Sequence, residues 1–180
     1  ARNFGALGRG ADVAFCSTLP RAAGLSTSSA HITAVFLVLT DVNRLAERPE
    51  FVAAIPDDLN VAGYLGCIEN GRAFGVLGGD HGVGTAGGSE DHTAILLSQA
   101  NHLTWYHYHP VMPIGRVVLA PEHVFVVAAS GISADKTGSA REKYNRASAL
   151  VAQLLARWNQ ATGRSDPTLA AALDASPDGP

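Results

Sequence analysis

The segment "LPRAAGLSTSSAHITAVFLVL", residues 19–39, places a glycine and four consecutive hydroxyl residues directly before a long apolar pattern. Apolar residues recur there at spacings of three and four, which predicts a helix from Ser28 to about Leu45. Upstream, the apolar stretch from Val13 to Cys16 is predicted to be a strand that ends before Pro20. The chain must therefore turn sharply through small residues into a helix.

One hydroxyl is enough to cap a helix, and this segment offers four. The first-turn N–H groups of a helix have no partner within it, and the helix dipole is positive at that end. A glycine lets a phosphate come close to the backbone, while hydroxyls add donors or a metal ligand. The segment therefore predicts an anion site, and a capped helix in a small-residue turn is the alternative.

A second helix start lies in "GTAGGSEDHTAILL", residues 84–97, where Asp91 falls in the first turn. It follows residues 71–88, which contain eight glycines and are predicted to be a loop. Asp91 is interpreted as an ionised carboxylate that faces a substrate hydroxyl. An acid that only complements the helix dipole is the alternative, and Glu90 and His92 are neighbours that compete for the catalytic role.

The rest of the chain alternates helix and strand patterns. Asp57 is predicted to cap a helix that runs to about Asn70. The other predicted helices are a short one in "ERPEFVAAIP", one from Ser89 to about Gln99, one from Ser139 to Thr162 and one near Asp166 to Ala175. The predicted strands are "LTWYHYHPV", "IGRVVLAP" and "HVFVVAAS". We expect the α+β class, with helices packed on a mainly antiparallel sheet.

Composition narrows the classes of function. The net charge of −3 gives no basic surface for nucleic acid, and no apolar run approaches the ~20 residues of a membrane span. No charged segment followed by an apolar one opens the chain. Cys16 and Cys67 form no CxxC pair and are expected to be small buried side chains in a reducing compartment. These features predict a soluble cytoplasmic protein without nucleic-acid or membrane partners.

Two further patterns are weaker. "GVGTAG", residues 82–87, matches the dinucleotide fingerprint GxGxxG, but no apolar strand runs directly into it and no acid follows about twenty residues later. His102, His107 and His109 suggest a metal site, yet no acid or cysteine lies nearby in sequence to complete a set of ligands. We expect surface or edge-strand histidines.

Taken together, the two helix starts resemble the GHMP small-molecule kinases, and among these the galactokinase-like sugar kinases. The phosphate-binding motif of that family, Pro-x3-Gly-Leu-x-Ser-Ser-Ser/Ala, is similar to Pro20, Gly24, Leu25, Ser26, Thr27, Ser28 and Ser29. Its catalytic-aspartate segment, Gly-x-x-x-Gly-x-x-Asp-Gln/His, is similar to Gly84, Gly88, Asp91 and His92. The strand "HVFVVAASGI" and the later "REKYNRA" resemble a third segment, in which Tyr144 takes the place of a sugar-contacting tyrosine.

The resemblance implies ATP-dependent phosphorylation of a monosaccharide hydroxyl, with ATP and Mg²⁺ as cofactors. It implies that Asp91 is the catalytic residue and that Gly88, Asp91 and Tyr144 bind the sugar. Ser28, or Thr27 beside it, is expected to reach Mg²⁺. The ATP phosphates are expected to lie against Ala23, Gly24, Leu25, Ser26, Thr27 and Ser28.

The resemblance spans most of residues 11–160. The resemblance implies that residues 1–165 form the central part of a GHMP-type kinase, incomplete at both ends. Residues 166–180 are predicted to form a short helix and a polar tail. The N-terminal segment of the family, with its basic catalytic residue, and its C-terminal glycine-rich motif have no counterpart here. We therefore expect further segments or a second chain to complete the site. The alternative is a non-catalytic galactokinase-like sensor that binds sugar and nucleotide.

Overall fold

The computed structural model describes residues 2–5, 8–20, 23–108, 111–128, 130 and 138–175. The chain divides into two compact units, Ala1–Asp135 and Lys136–Pro180. Helices and an antiparallel strand pair together make it an α+β protein, which confirms the expected class. No helix in the described ranges is both long and apolar enough to cross a membrane.

Four helices organise the first unit: α1 (Thr27–Val42), α2 (Pro49–Ala54), α3 (Asp58–Asn70) and α4 (Glu90–Leu97). A 3₁₀ turn, Leu45–Glu47, joins α1 to α2, and Pro49 begins α2, where its missing N–H costs no bond. All four helices lie within a few residues of their predicted positions, because their caps and apolar spacing are local signals.

Asp57 caps α3 as predicted. Its Oδ1 accepts hydrogen bonds from Asn60 N at 2.8 Å and from Asn60 Nδ2 at 2.7 Å. These two bonds lower the pKa of Asp57 below its ordinary value, because they favour the charged carboxylate.

The glycine-rich loop after α3 folds back on the end of that helix. Gly71 closes α3 with a φ of 78°, and a Cβ atom there would meet the carbonyl oxygen of Asp80. Val83 N donates to the carbonyl oxygen of Glu69 at 2.9 Å, and Asn70 Nδ2 donates to that of Gly87 at 2.9 Å. These contacts hold the loop against the end of α3, and the loop leads directly into α4.

The apolar core of the first unit joins the N-terminal residues, α2, α3 and the loop. Phe4 lies at its centre, with ring centroids 5.0 Å from Phe51 and 6.0 Å from Tyr64. The Tyr64 hydroxyl accepts a hydrogen bond from Asn3 Nδ2, so the buried ring keeps a polar partner. The buried cluster consists of Phe4, Leu45, Phe51, Ile55, Tyr64 and Leu77.

Two antiparallel strands, β1 (His102–Tyr108) and β2 (Val111–Val118), form the sheet of the described residues. His102 pairs with Val118 and Tyr108 with Val111, and the register shifts between Trp105 and Tyr106. Both strands were predicted, the first from the alternation of its side chains, and β2 begins three residues before the predicted segment, which starts at Ile114.

The second unit contains α5 (Gly138–Thr162) and α6 (Leu169–Asp174). Asp166 links them: it accepts from Trp158 Nε1 at 2.9 Å and forms two 2.7 Å hydrogen bonds with Arg164. The hydrogen bonds from Arg164 lower the pKa of Asp166. Thr168 caps α6 by accepting from Ala171 N at 3.1 Å.

Two predicted strands are wrong. Residues 13–16 form no strand, and Val13 and Phe15 are exposed. The ring of Phe15 stacks on that of His31, with their centroids 4.2 Å apart. Residues 123–128 also form no strand, and Val124 and Phe125 are more than 70% exposed. An apolar run has β propensity, but it becomes a strand only where a neighbour supplies hydrogen bonds.

Two burial expectations also fail. Cys16 is exposed, because the segment around it does not enter a sheet, while Cys67 is half-buried; both are free thiols. On α3 the apolar residues Ala62 and Leu65 are fully buried, whereas Ile68 is 40% exposed and Glu69 is buried. The buried face of this helix therefore includes a polar residue.

Candidate functional site

The hydroxyl residues at the start of α1 do not act as a cap. Gly24 and Ser26 have left-handed φ values of 75° and 51°, and Ser26, at the N-cap position, makes no side-chain capping bond. The Thr27 hydroxyl donates to the carbonyl oxygen of Pro20 at 3.5 Å, and Ser28 is exposed. The first-turn N–H groups of α1 are therefore left without a hydroxyl from the N-cap.

Ser29 connects α1 with α3 and α4. Its Oγ donates to Glu69 Oε2 at 2.9 Å and lies 3.4 Å from Asp91 Oδ2. Asp91 is half-buried in the first turn of α4. The predicted phosphate-binding segment and the predicted catalytic aspartate, 62 residues apart in sequence, thus come together through one serine hydroxyl.

Behind Ser29 lies a buried polar network, which we define as Ser29, Thr33, Glu69 and His92. His92 Nε2 lies 2.9 Å from Glu69 Oε2, and His92 Nδ1 lies 3.2 Å from Thr33 Oγ1. His92 has no exposed surface and Glu69 is 5% exposed. Three helices therefore meet at a hydrogen-bonded polar centre.

Tyr108, the last residue of β1, is near enough to the acidic start of α4 to be affected by its charges. Partial burial raises the pKa of Tyr108, and the charge of Glu90, the Tyr106 phenol and the charge of Asp91 raise it further. A protonated phenol is a hydrogen-bond donor.

A cavity of about 350 Å³ lies next to this helix start, between α3, the glycine loop and the strand pair. The residues that line this cavity include Gly88, Ser89, Tyr108, Asn60, Cys67 and Asn70. Burial raises the pKa of the Cys67 thiol, which keeps it protonated. A Cβ atom on Gly88 would meet nothing within 4 Å, so the backbone at this position is open to an approaching molecule. The volume falls in the range of small-molecule sites.

The remaining predicted substrate residue, Tyr144, lies on α5 in the second unit and is 41% exposed. Its predicted contact with a sugar stays a prediction.

The donor groups near Asp91 are oxygens rather than a transition-metal set. Within the described ranges no group of three or more His, Cys, Asp or Glu side chains could hold a metal ion. His107 is exposed and His102 half-buried, as expected of surface histidines, and His109 lies outside the described residues.

Sequence reasoning missed Glu69, Thr33 and Tyr108. Glu69 follows Ala62 by seven residues and Leu65 by four, so helical spacing alone places it on the buried face. Ser29 and Thr33 are likewise four apart on α1. The search for apolar spacing did not select these residues, because a pattern of apolar residues does not register polar side chains on a buried helix face.

Comparison of the chain with protein families, curated proteins and solved structures found no match. The functional proposal below rests on the site residues and on the motif resemblance.

Proposed function

We propose that the chain carries the phosphate-binding and catalytic parts of a sugar kinase of the GHMP type, which transfers the γ-phosphoryl group of ATP to a monosaccharide hydroxyl. The observation that supports this most is the contact at 3.4 Å between Ser29 Oγ and Asp91 Oδ2. Phosphoryl transfer depends on positioning and electrostatic stabilisation, so its phosphate cradle and its catalytic carboxylate must share one site.

In this proposal the backbone N–H groups from Ala23 to Thr27 hold the β- and γ-phosphates. Two properties of the segment favour it: the uncapped start of α1, and the open space at Gly24, where a Cβ atom would meet nothing within 4 Å. Phosphate groups are favoured at such helix starts because both the N–H donors and the helix dipole point at them.

Asp91 receives the proton of the attacking sugar hydroxyl. The hydroxyl oxygen forms a bond to the γ-phosphorus, the bond from that phosphorus to the β–γ bridging oxygen breaks, and ADP leaves. The sugar occupies the cavity beside Gly88, with the Tyr108 phenol as a hydrogen-bond donor. A carboxylate within hydrogen-bond reach of the attacking hydroxyl is suited to accept its proton.

Mg²⁺ takes oxygen ligands and keeps several waters. The residues that would hold it are Ser28, the predicted ligand, which is exposed, and Asp91, which is half-buried beside Ser29. Both offer oxygen donors, which fit this ion. When bound, the ion would neutralise charge on the transferring phosphate.

The test is to mix the protein with ATP, Mg²⁺ and a panel of monosaccharides, alone and with any co-purifying chain, and to measure ADP release. We expect ADP release that depends on one sugar. Binding of sugar and nucleotide without ADP release would favour the non-catalytic sensor, and no ADP with any sugar in either preparation would overturn the kinase proposal.

A further inference from the structure

The buried polar network contains a histidine to which the proposed phosphoryl transfer gives no role. His92 follows Asp91 directly, but its side chain points away from solvent, between α1 and α3. All four members of the network are at most 5% exposed. A buried ionisable group is costly unless it is hydrogen-bonded, so each contact in this network has to be accounted for.

The two ring nitrogens of His92 have separate partners. Glu69 Oε2 accepts from Ser29 Oγ, and we assign His92 Nε2, at 2.9 Å, as the second donor to that oxygen. His92 Nδ1 lies 3.2 Å from the Thr33 hydroxyl, which is able to donate or to accept. Both ring nitrogens are thereby engaged, and the imidazole has one orientation.

The same carboxylate oxygen holds Ser29. Glu69 Oε2 accepts from His92 on α4 and from Ser29 on α1, so side chains of both helices bind the same carboxylate oxygen of α3. Ser29 Oγ in turn lies beside Asp91, one residue before His92. Asp91 and His92 are adjacent on α4, so the chain of contacts from Asp91 through Ser29 and Glu69 to His92 begins and ends on the same helix.

We propose that His92 is a positioning residue for phosphoryl transfer: by orienting Glu69 it sets where Ser29 Oγ lies relative to Asp91. This inference rests on the proposed function. Its consequence is that the separation between the phosphate cradle on α1 and the carboxylate on α4 depends on a hydrogen bond that touches neither ATP nor sugar. Misplacement of reacting groups by about 1 Å is sufficient to cost on the order of 100-fold in rate.

The test compares His92→Leu, which removes the donor to Glu69, with His92→Gln, whose amide N–H is able to replace it. Measurements of kcat and of KM for ATP and sugar are made below the unfolding temperature of each variant, per folded protein. We expect His92→Leu to lower kcat at least about tenfold with both KM values within about threefold of wild type. We expect His92→Gln to recover kcat to within about threefold.

A second pair of variants, Thr33→Val and Thr33→Ser, tests the positioning role of His92 if His92→Leu does not fold. Thr33→Val keeps the shape but removes the hydroxyl that orients the imidazole, so kcat falls several-fold, whereas Thr33→Ser retains it. A purely structural role would lower the unfolding temperature and leave kcat of the folded protein unchanged.

Outcomes separate the two proposals. If the wild-type protein turns over, the positioning role alone is overturned by either of two results. One is an unchanged kcat in folded His92→Leu, and the other is an equal kcat in Thr33→Val and Thr33→Ser. Absence of turnover by the wild-type protein overturns the proposed function and, with it, this inference.

Discussion

Ser29 illustrates how single side chains depart from their local pattern. It belongs to a run of hydroxyl residues that looks like a helix cap, yet its Oγ bonds to Glu69, 40 positions along the chain. Ser26, which occupies the N-cap position, makes no capping bond. The presence of an unusual polar run was readable from the sequence, whereas its partner on α3 was not, because that contact exists only after three helices pack.

Asp57 gives a prediction at the same scale. Asp57→Ala removes the cap of α3 and should lower the free energy of unfolding by about 1 kcal/mol at pH 7. The bonds from Asn60 lower the pKa of Asp57 below its ordinary value of 3.8. Its contribution is therefore fully present above pH 3.8 and is lost as the pH falls through the lower pKa of the folded state.

Chemical denaturation between pH 7 and pH 2.5 measures this effect. The difference between wild type and Asp57→Ala should shrink at the acid end. Asp57→Ser, which caps without ionising, is the matched control and should differ from Asp57→Ala by the same amount throughout. A difference between wild type and Asp57→Ala that does not change with pH would contradict the assignment.

At the scale of elements, helices were predicted well and strands in part. The capping residue Asp57, the proline that begins α2 and the apolar spacing of α1 are signals within one segment. The alternation of side chains predicted β1, and an apolar segment predicted β2. The apolar segment "HVFVVAAS" was wrongly predicted to be a strand, because strand formation depends on a neighbouring strand that the segment itself does not specify. The burial of Glu69 on α3 escaped for a related reason: its partners Ser29 and His92 lie on α1 and α4, outside the segment.

The close contact of α3 with the start of α4 is testable at Gly66. A Cβ atom there would lie 2.8 Å from Ser89 Cα, which is backbone and unable to move aside. Gly66→Ala should therefore lower the free energy of unfolding by about 1–3 kcal/mol through overpacking. Thermal and denaturant unfolding provide the measurement, with Gly88→Ala as the matched control at an open position. Equal stability of the two variants would contradict the packing described here.

Gly88→Ala also tests the proposed sugar site. The added methyl group meets no protein atom within 4 Å and should leave the fold intact, while it obstructs the backbone that the sugar approaches. We expect the KM for the sugar to rise about tenfold and kcat to change little, because ground-state and transition-state binding are lost together. Steady-state kinetics at saturating ATP measures this; an unchanged KM would remove Gly88 from the sugar site.

At the scale of the whole molecule, the α+β class followed from the mixture of helix and strand patterns. That the two distant motifs share one site was implied only by their resemblance to the GHMP kinases. Local patterns do not specify which helices meet. The structure brings the start of α1 and the start of α4 within reach of one serine hydroxyl, and the kinase proposal depends on that meeting.

The most direct measurement compares Asp91→Asn with Glu90→Gln in the ADP-release assay. Both variants remove one negative charge from the first turn of α4, but only Asp91 lies beside Ser29. Loss of a general base should lower kcat by about 10²–10⁴-fold in Asp91→Asn while sugar binding persists, and Glu90→Gln should stay within a few-fold of wild type. Turnover by Asp91→Asn at the wild-type rate would contradict the account.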